Sequence, residues 1–311
     1  MNILLTGGSG FIGNRTYEFL SKDSDISLTC LLRKNTSGIT CQTSIVSGLE
    51  YPCDLSEALC DQQVVIHAAG LAHSSNLGRK ELLSAMYEIN VEGTRNLAMK
   101  AAELGVRRFI FISSIGVNGN CNSSPFCEED EPNPIEPYAK SKLEAERSLW
   151  EIQSQTGMEV VIIRPPLVYG TNAPGNFSSL LSLVGKGMPL PLAGIKNKRS
   201  FVSIDNLVDL IHTCISHPKA ANQVFLVGDG DDISTADFIS KLAVASGKPI
   251  KLFYVPTSLL LAAGALLGKK DMVMKLVDSL QVDISKAHNV LDWTPPKSID
   301  DSLASCFVSE D

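Results

Sequence analysis

Met1-Asn2-Ile3-Leu4-Leu5-Thr6-Gly7-Gly8-Ser9-Gly10-Phe11-Ile12-Gly13 opens the chain, and its reading decides the fold. Ile3-Leu4-Leu5 is an apolar run of the length of a short buried strand. It stops at a glycine cluster, after which Phe11, Ile12, Tyr17, Phe19 and Leu20 recur at helical spacing. Strand, glycine turn and helix is the context in which glycines at 7, 10 and 13 carry meaning. Gly7 permits a tight turn out of the strand, Gly10 lets a pyrophosphate approach the backbone, and Gly13 lets the helix pack near the strand. The helix N-terminus then offers unpaired N–H groups and a positive dipole end to phosphates. Read alone, the motif is equally an ordinary strand-to-helix turn, so the rest of the chain must decide.

Working outward, Ile26 to Leu32 reads as a second strand, ending at Arg33-Lys34. In a dinucleotide fold this strand end meets the adenosine ribose, where an acidic residue suits NAD. A guanidinium suits a 2′-phosphate instead, so Arg33 favours NADP over NAD. If Arg33 only stacks on adenine, NAD stays open. A third strand is expected near Ser44 to Val46, ahead of Asp54-Leu55. Asp54 is placed either to accept from the adenine amino group or to cap the short helix that follows. Val64 to His67 is a fourth strand, and the small Ala68-Ala69-Gly70 lets backbone lie against a cofactor. His67, on an apolar strand, is expected to be structural.

Residues 79 to 104 carry one long helical pattern with Asn90 and Gly93 inside it. Both have a propensity cost there, which points to a local function. Phe109 to Ile112 is a fifth strand ending at Ser113-Ser114, and a helix from Tyr138 to about Gln155 precedes a sixth strand, Val160 to Ile163. This alternation predicts a Rossmann-type α/β fold, a doubly wound parallel sheet. The dinucleotide-binding domain is expected over 1–168 plus about 200–228. A smaller C-terminal lobe, about 169–199 and 229–311, is expected to bind substrate at the sheet's C-terminal edge.

The chain has 311 residues, a formal net charge of −7 and 20% charged residues. That composition fits a globular protein and disfavours a nucleic-acid-binding face. It also makes individual Arg and Lys residues informative where an anion must bind. Eight cysteines are scattered without a C-x-x-C pair or zinc spacing. They read as reduced thiols, with no metal site expected. No signal peptide is visible, so a cytoplasmic location is expected. The most apolar stretch, Leu259 to Leu267, is too short to span a membrane. It reads as a buried or partner-facing helix, and no membrane partner is expected.

Tyr138 and Lys142 lie four apart on one helix, so they share a face. A neighbouring ammonium and an oxidised nicotinamide favour the phenolate. Such a tyrosine can move a hydroxyl proton while hydride moves between the same carbon and the nicotinamide. Ser114, at a strand end on the ligand edge, can hydrogen-bond the same oxygen.

Taken in order, Thr6 to Gly13, Asp54-Leu55, His67-Ala68-Ala69-Gly70, Asn90-Val91-Glu92-Gly93-Thr94, Ser113-Ser114, Tyr138-x-x-x-Lys142 and Arg164-Pro165 resemble the extended short-chain dehydrogenase/reductase family. The nucleotide-sugar epimerase/dehydratase branch fits best. Alongside Arg33, the resemblance places Gly7, Gly10, Phe11, Ile12, Gly13, Asp54, Leu55, Ala68, Ala69, Gly70, Asn90, Tyr138 and Lys142 against the cofactor. It implies Ser114, Tyr138 and Lys142 as the catalytic set and nominates Asn176 and Arg199 for the sugar diphosphate. The branch's 4,6-dehydratases carry an acidic pair just after the catalytic Thr/Ser. Here Ser114 is followed by Ile115-Gly116-Val117-Asn118-Gly119, which disfavours them.

Epimerases and 4-ketoreductases remain. Arg33 tilts toward an exchangeable NADP, hence toward a 4-ketoreductase, and the stretch from Pro189 through Lys198-Arg199 to Thr235 resembles bacterial reductases of a UDP-4-keto-6-deoxy-N-acetylhexosamine in surface-polysaccharide precursor synthesis. The alternatives are a UDP-sugar 4-epimerase with tightly bound NAD and a reductase of a non-nucleotide substrate. Two departures stand out. No arginine follows Arg199, so Lys269, Lys270 or Lys275 would make any second diphosphate contact. Asn118 stands where many relatives have Tyr. The resemblance also implies a homodimer built through helices 79–104 and 138–155.

Overall fold

The computed structural model describes residues 1–36, 38–49, 54–72, 77–185, 187–248 and 250–307, without the side chains of Asn176 and Leu183. The first part of the chain runs β1 (Asn2–Thr6), α1 (Phe11–Leu20), β2 (Ser27–Leu32), β3 (Gln42–Ile45), α2 (Ser56–Leu59) and β4 (Val64–His67). It continues through α3 (Arg79–Tyr87), α4 (Gly93–Glu103), β5 (Arg108–Ile112), α5 (Pro137–Thr156) and β6 (Glu159–Arg164). Then follow β7 (Leu167–Tyr169), α6 (Asn176–Gly185), β8 (Phe201–Ser203), α7 (Ile204–Ser216) and β9 (Gln223–Leu226). Five helices close the chain: α8 (Thr235–Ala245), α9 (Thr257–Leu266), α10 (Lys270–Val277), α11 (Ser285–Leu291) and α12 (Ile299–Ser305).

Seven strands form one parallel sheet in the order β3-β2-β1-β4-β5-β6-β9. This is the Rossmann-type doubly wound sheet expected from the sequence. The order reverses between β1 and β4, the switch point at which such sheets open a crevice for ligands. The central strands are near-continuous apolar runs because both faces are covered. Their side chains alternate between two cores. Ile3, Leu5, Ile66, Ile110 and Ile163 meet Leu20 of α1 and Leu207 and Ile211 of α7. Leu4, Val65, Phe109, Phe111 and Ile162 meet Leu97 of α4 and Ala145 and Leu149 of α5.

Arg108 is buried, and it pins α7 to the sheet. Its Nη1 donates to Cys214 O at 2.6 Å and His217 O at 3.0 Å, satisfying carbonyls at that helix's end. Glu159 balances the charge at 2.7 Å.

The helix expected over 79–104 is interrupted. Glu88–Glu92 form a π-helical turn between α3 and α4, with Asn90 and Val91 buried in it. Such turns recur at functional sites.

A third core lies at the sheet's C-terminal edge, around Tyr169, Phe177, Phe201, Phe238, Leu242 and Leu303. Phe201 and Phe238 stack with ring centroids 4.0 Å apart. Here β7 pairs with β8 in a separate two-stranded sheet.

The stretch Leu259 to Leu267 is not buried, contrary to one of the two expectations for it. In α9 only Gly264 is buried. That glycine lets α9 and α10 meet, since a Cβ there would lie 2.7 Å from Val273 Cγ2. No helix among the described residues is long and apolar enough to cross a membrane.

Candidate active site

The glycine turn is built as a close approach of two chain segments. Gly7 has φ +75°, and a Cβ there would lie 2.6 Å from Ala69 N and 2.7 Å from Ala68 C. A Cβ on Gly13 would lie 2.1 Å from Gly7 O, so α1 can start this close to the turn only without that side chain. Gly10 is the N-cap of α1, with no side chain capping it and no acidic residue in the first turn. The positive end of the helix is therefore left for an outside anion. Phe11 and Ile12 form its first turn. These residues fit a dinucleotide's pyrophosphate.

Arg33 is exposed at the end of β2. Asp54 Oδ1 accepts from Ser56 N at 2.9 Å, an interaction that starts α2 and holds the carboxyl below the usual range. Asp54 therefore braces the turn into α2, whose N-cap is Leu55. Leu55 is buried beneath it.

Asn90 braces the loop after β4. Its Oδ1 accepts from Leu71 N at 2.7 Å, and its Nδ2 donates to Leu71 O at 2.9 Å and to Ser141 Oγ at 3.0 Å. Ser141 in turn donates to Tyr138 O at 2.8 Å. A Cβ on Gly70 would lie 3.3 Å from Asn90 Oδ1 and 3.9 Å from Lys142 Nζ. The π-turn thus ties the end of β4 to the first turn of α5, where Tyr138 sits. His67 is held between Thr6 Oγ1 at 2.6 Å and Thr94 Oγ1 at 2.9 Å. Burial, with Lys142 nearby, pushes it down to about 3. This is the structural histidine the sequence suggests.

Ser114 caps a 3-10 turn, accepting from Gly116 N at 3.1 Å. Gly116 brings that turn against α5, since a Cβ there would meet Ala139 Cβ at 3.1 Å and Ser114 Oγ at 3.4 Å. The turn that carries Ser114 is therefore packed on the first turn of α5, which carries Tyr138. Lys142 is buried, with Nζ 3.8 Å from the centroid of the Phe111 ring.

The expected depression of the Tyr138 phenol is not what this protein alone provides. Burial pushes Tyr138 up to about 12. Burial also pushes Lys142 down to about 7, with Glu146 opposing. Both groups lose water, so each favours its neutral form. A cationic ring bound beside them would shift the balance back toward phenolate.

Sequence reasoning missed the support beneath this pair. Glu146, on the face of α5 below Lys142, accepts from Ser113 Oγ and binds Arg164 at 3.0 Å and 2.6 Å. Arg164 Nη1 also donates to Asn118 Oδ1 at 3.0 Å, and Asn118 Nδ2 donates to Cys127 O at 3.1 Å. Asn118 is thus a buried structural partner. The missed signal was a carboxylate within the apolar stripe Leu143, Ala145, Leu149, which burial obliges to find a partner.

Arg199 is held against the end of α10. Its backbone pairs with Ile233, and its Nη1 donates to Lys275 O at 2.7 Å and Asp278 O at 3.2 Å. It ties down the end of α10. Lys275 pairs with Glu136 at 2.6 Å, next to the start of α5. Lys269 and Lys270 are exposed at the α9–α10 turn. Asn176 begins α6, and its side chain lies outside the described residues. A cleft of about 1090 Å³ opens at the start of α1, lined in part by Gly10, Phe11, Asn172, Asp205 and Lys297. It does not include Ser114, Tyr138 or Lys142, and its Arg15, Asp205 and Lys297 are paired with one another.

The fold is that of a nucleotide-binding α/β enzyme. The chain belongs to the NAD dependent epimerase/dehydratase family, whose model matches residues 3–228. It is 45% identical over 305 residues to a UDP-glucose 4-epimerase of Vibrio cholerae, covering 97% of this chain and 93% of the relative. It is 27% identical to an N-acetyl-alpha-D-glucosaminyl-diphospho-ditrans,octacis-undecaprenol 4-epimerase of Escherichia coli O157:H7, covering 99% and 96%. Its fold matches the UDP-glucuronic acid 4-epimerase of Bacillus cereus, solved with NAD, at TM-score 0.80 and 23% identity, covering 99% and 97%.

Proposed function

We propose that this protein is a UDP-sugar 4-epimerase that keeps its nicotinamide dinucleotide bound through the cycle. The observation that carries this reading is the 45% identity to the Vibrio cholerae UDP-glucose 4-epimerase across nearly the whole of both chains. It favours the epimerase alternative over the 4-ketoreductase first expected. The first turn of α1 and the Gly7–Ala69 approach would hold the dinucleotide, and a bound nicotinamide supplies a reversible acceptor for hydride.

The protein's own residues do the rest. Ser114 Oγ and Tyr138 Oη hold the oxygen on carbon 4 of the sugar. Tyr138 takes that hydroxyl's proton as hydride leaves carbon 4, then returns it when hydride comes back to the other face. Lys142 sets the charge beneath the phenol. Residues of the C-terminal lobe, about 169–199 and 229–311, hold the nucleotide end, with the donors of Arg199 not used on α10 turned to the diphosphate. The family's name and the relatives favour NAD, and Arg33 would then stack on adenine. The exposed Leu83, Tyr87 and Met99 on α3 and α4 supply apolar surface for the expected homodimer.

The test is interconversion of UDP-glucose and UDP-galactose by purified protein without added cofactor. Turnover is expected, with NAD released on acid denaturation. Consumption of NADPH by a UDP-4-keto sugar, with no epimerisation, would restore the reductase.

A further inference from the structure

The α9–α10 hairpin is unlike the rest of the surface. On α9, Leu259, Ala262, Ala263 and Leu266 recur at the i, i+3, i+4, i+7 spacing of one helix face, and all four are exposed. Leu259 is 60% exposed, Leu266 89%, Leu267 73%, and Met272 of α10 59%. In a packed protein such a stripe faces a core; here it faces outward. Contiguous exposed apolar surface of this kind marks an interaction site.

Charge identifies the partner. The whole chain carries a net charge of −7, yet residues 248–277 contain five lysines and one acidic residue. Lys269 and Lys270 directly follow Leu266-Leu267-Gly268, where Gly268 turns the chain at φ +66°. Neither makes an ion pair among the described residues, whereas Lys275 is paired with Glu136. Leucines flanked by unpaired lysines suit a surface that is apolar below and anionic above. A second copy suits them poorly, because a two-fold interface would bring the same lysines face to face.

We infer that the tip of the α9–α10 hairpin seats on the surface of an anionic lipid bilayer. Leu259, Leu266, Leu267 and Met272 enter the boundary between headgroups and acyl chains, and Lys269 and Lys270 lie at the lipid phosphates. The hairpin lies on the membrane and does not cross it. The sequence, read for spanning segments, gave no reason to expect this. The far end of α10 is tied by Arg199 and by the Lys275–Glu136 pair, and α10 is only about 12 Å long. Docking therefore turns the candidate substrate edge toward the lipid. The inference stands whichever sugar the site takes.

The experiment is sedimentation of the full-length protein with phosphatidylcholine vesicles and with equimolar phosphatidylcholine–phosphatidylglycerol vesicles. Binding is expected to the anionic vesicles only, and to fall as salt is raised. Leu266→Ser/Leu267→Ser and Lys269→Glu/Lys270→Glu should each weaken it by about tenfold or more. The leucine pair should keep its turnover on soluble UDP-sugar and its melting temperature. Failure to bind anionic vesicles, or equal binding by both variants, would overturn the inference. So would conversion of a dimer to monomers by the leucine changes, since the patch would then be an interface between copies.

Discussion

The crevice beside β4 and β5 and the α9–α10 hairpin invert each other. In the crevice, Lys142, Glu146 and Arg164 are buried and the carboxylate is shared between Ser113 and Arg164. In the hairpin, leucines stand in solvent beside Lys269 and Lys270, which make no ion pair among the described residues. Both break the rule that charge lies outside and leucine inside. Buried charge survives only with partners, so the crevice is tightly determined. Exposed leucine needs no internal partner, so the hairpin is free to meet something else. Departures from patterning locate the places where a chain acts, and their sign distinguishes chemistry from docking.

That contrast can be broken by experiment. Tyr138→Phe should have the largest effect, lowering turnover roughly 10³-fold while leaving the urea midpoint in place; full activity would remove the crevice from the chemistry. Glu146→Gln should cost about 3–5 kcal/mol of stability in urea unfolding, because Arg164 is left buried without its counter-charge. A loss below about 1 kcal/mol would show that water already reaches that pair.

Acid should expose His67 next. Its ring is pushed from 6.5 down to about 3 by burial. Between those values the unfolded chain binds a proton that the folded chain refuses, so stability falls as pH drops. The loss from this group reaches about 2 kcal/mol by about pH 5. His67→Gln should flatten that decline, read from urea midpoints across the range; an unchanged slope would assign acid lability elsewhere. Smallest of all, Leu266→Ser/Leu267→Ser should change stability by no more than about 0.5 kcal/mol. A larger loss would mean that these leucines are packed in solution and that the contrast is false.

Much of this architecture is legible in the residues. The strand ends at Thr6, His67 and Ile112 are marked by apolar runs meeting Gly, Ala or Ser, and strand-helix alternation implies the parallel sheet. The π-turn was not legible, because the apolar spacing of 79–104 runs through it, although Asn90 and Gly93 marked its place. Glu146 was missed because a carboxylate on a helix reads as solvated unless its neighbours' burial is considered. Whether α9 is buried or faces a partner was left open by its residues. Its spacing is that of a core helix, and only tertiary packing shows which way it points.

The π-turn at Glu88–Glu92 has a consequence for how this segment tolerates change in length. One residue beyond α-helical count separates α3 from α4, offsetting the two helices by about 100° in phase. Deleting a single residue there would mend the helix and yet spoil the protein. Either Asn90 would swing away from Leu71 and Ser141, or the whole of α3 would rotate about its axis. A gap in this segment among relatives should therefore come in whole turns, whereas sequence drift on its outer face can run free.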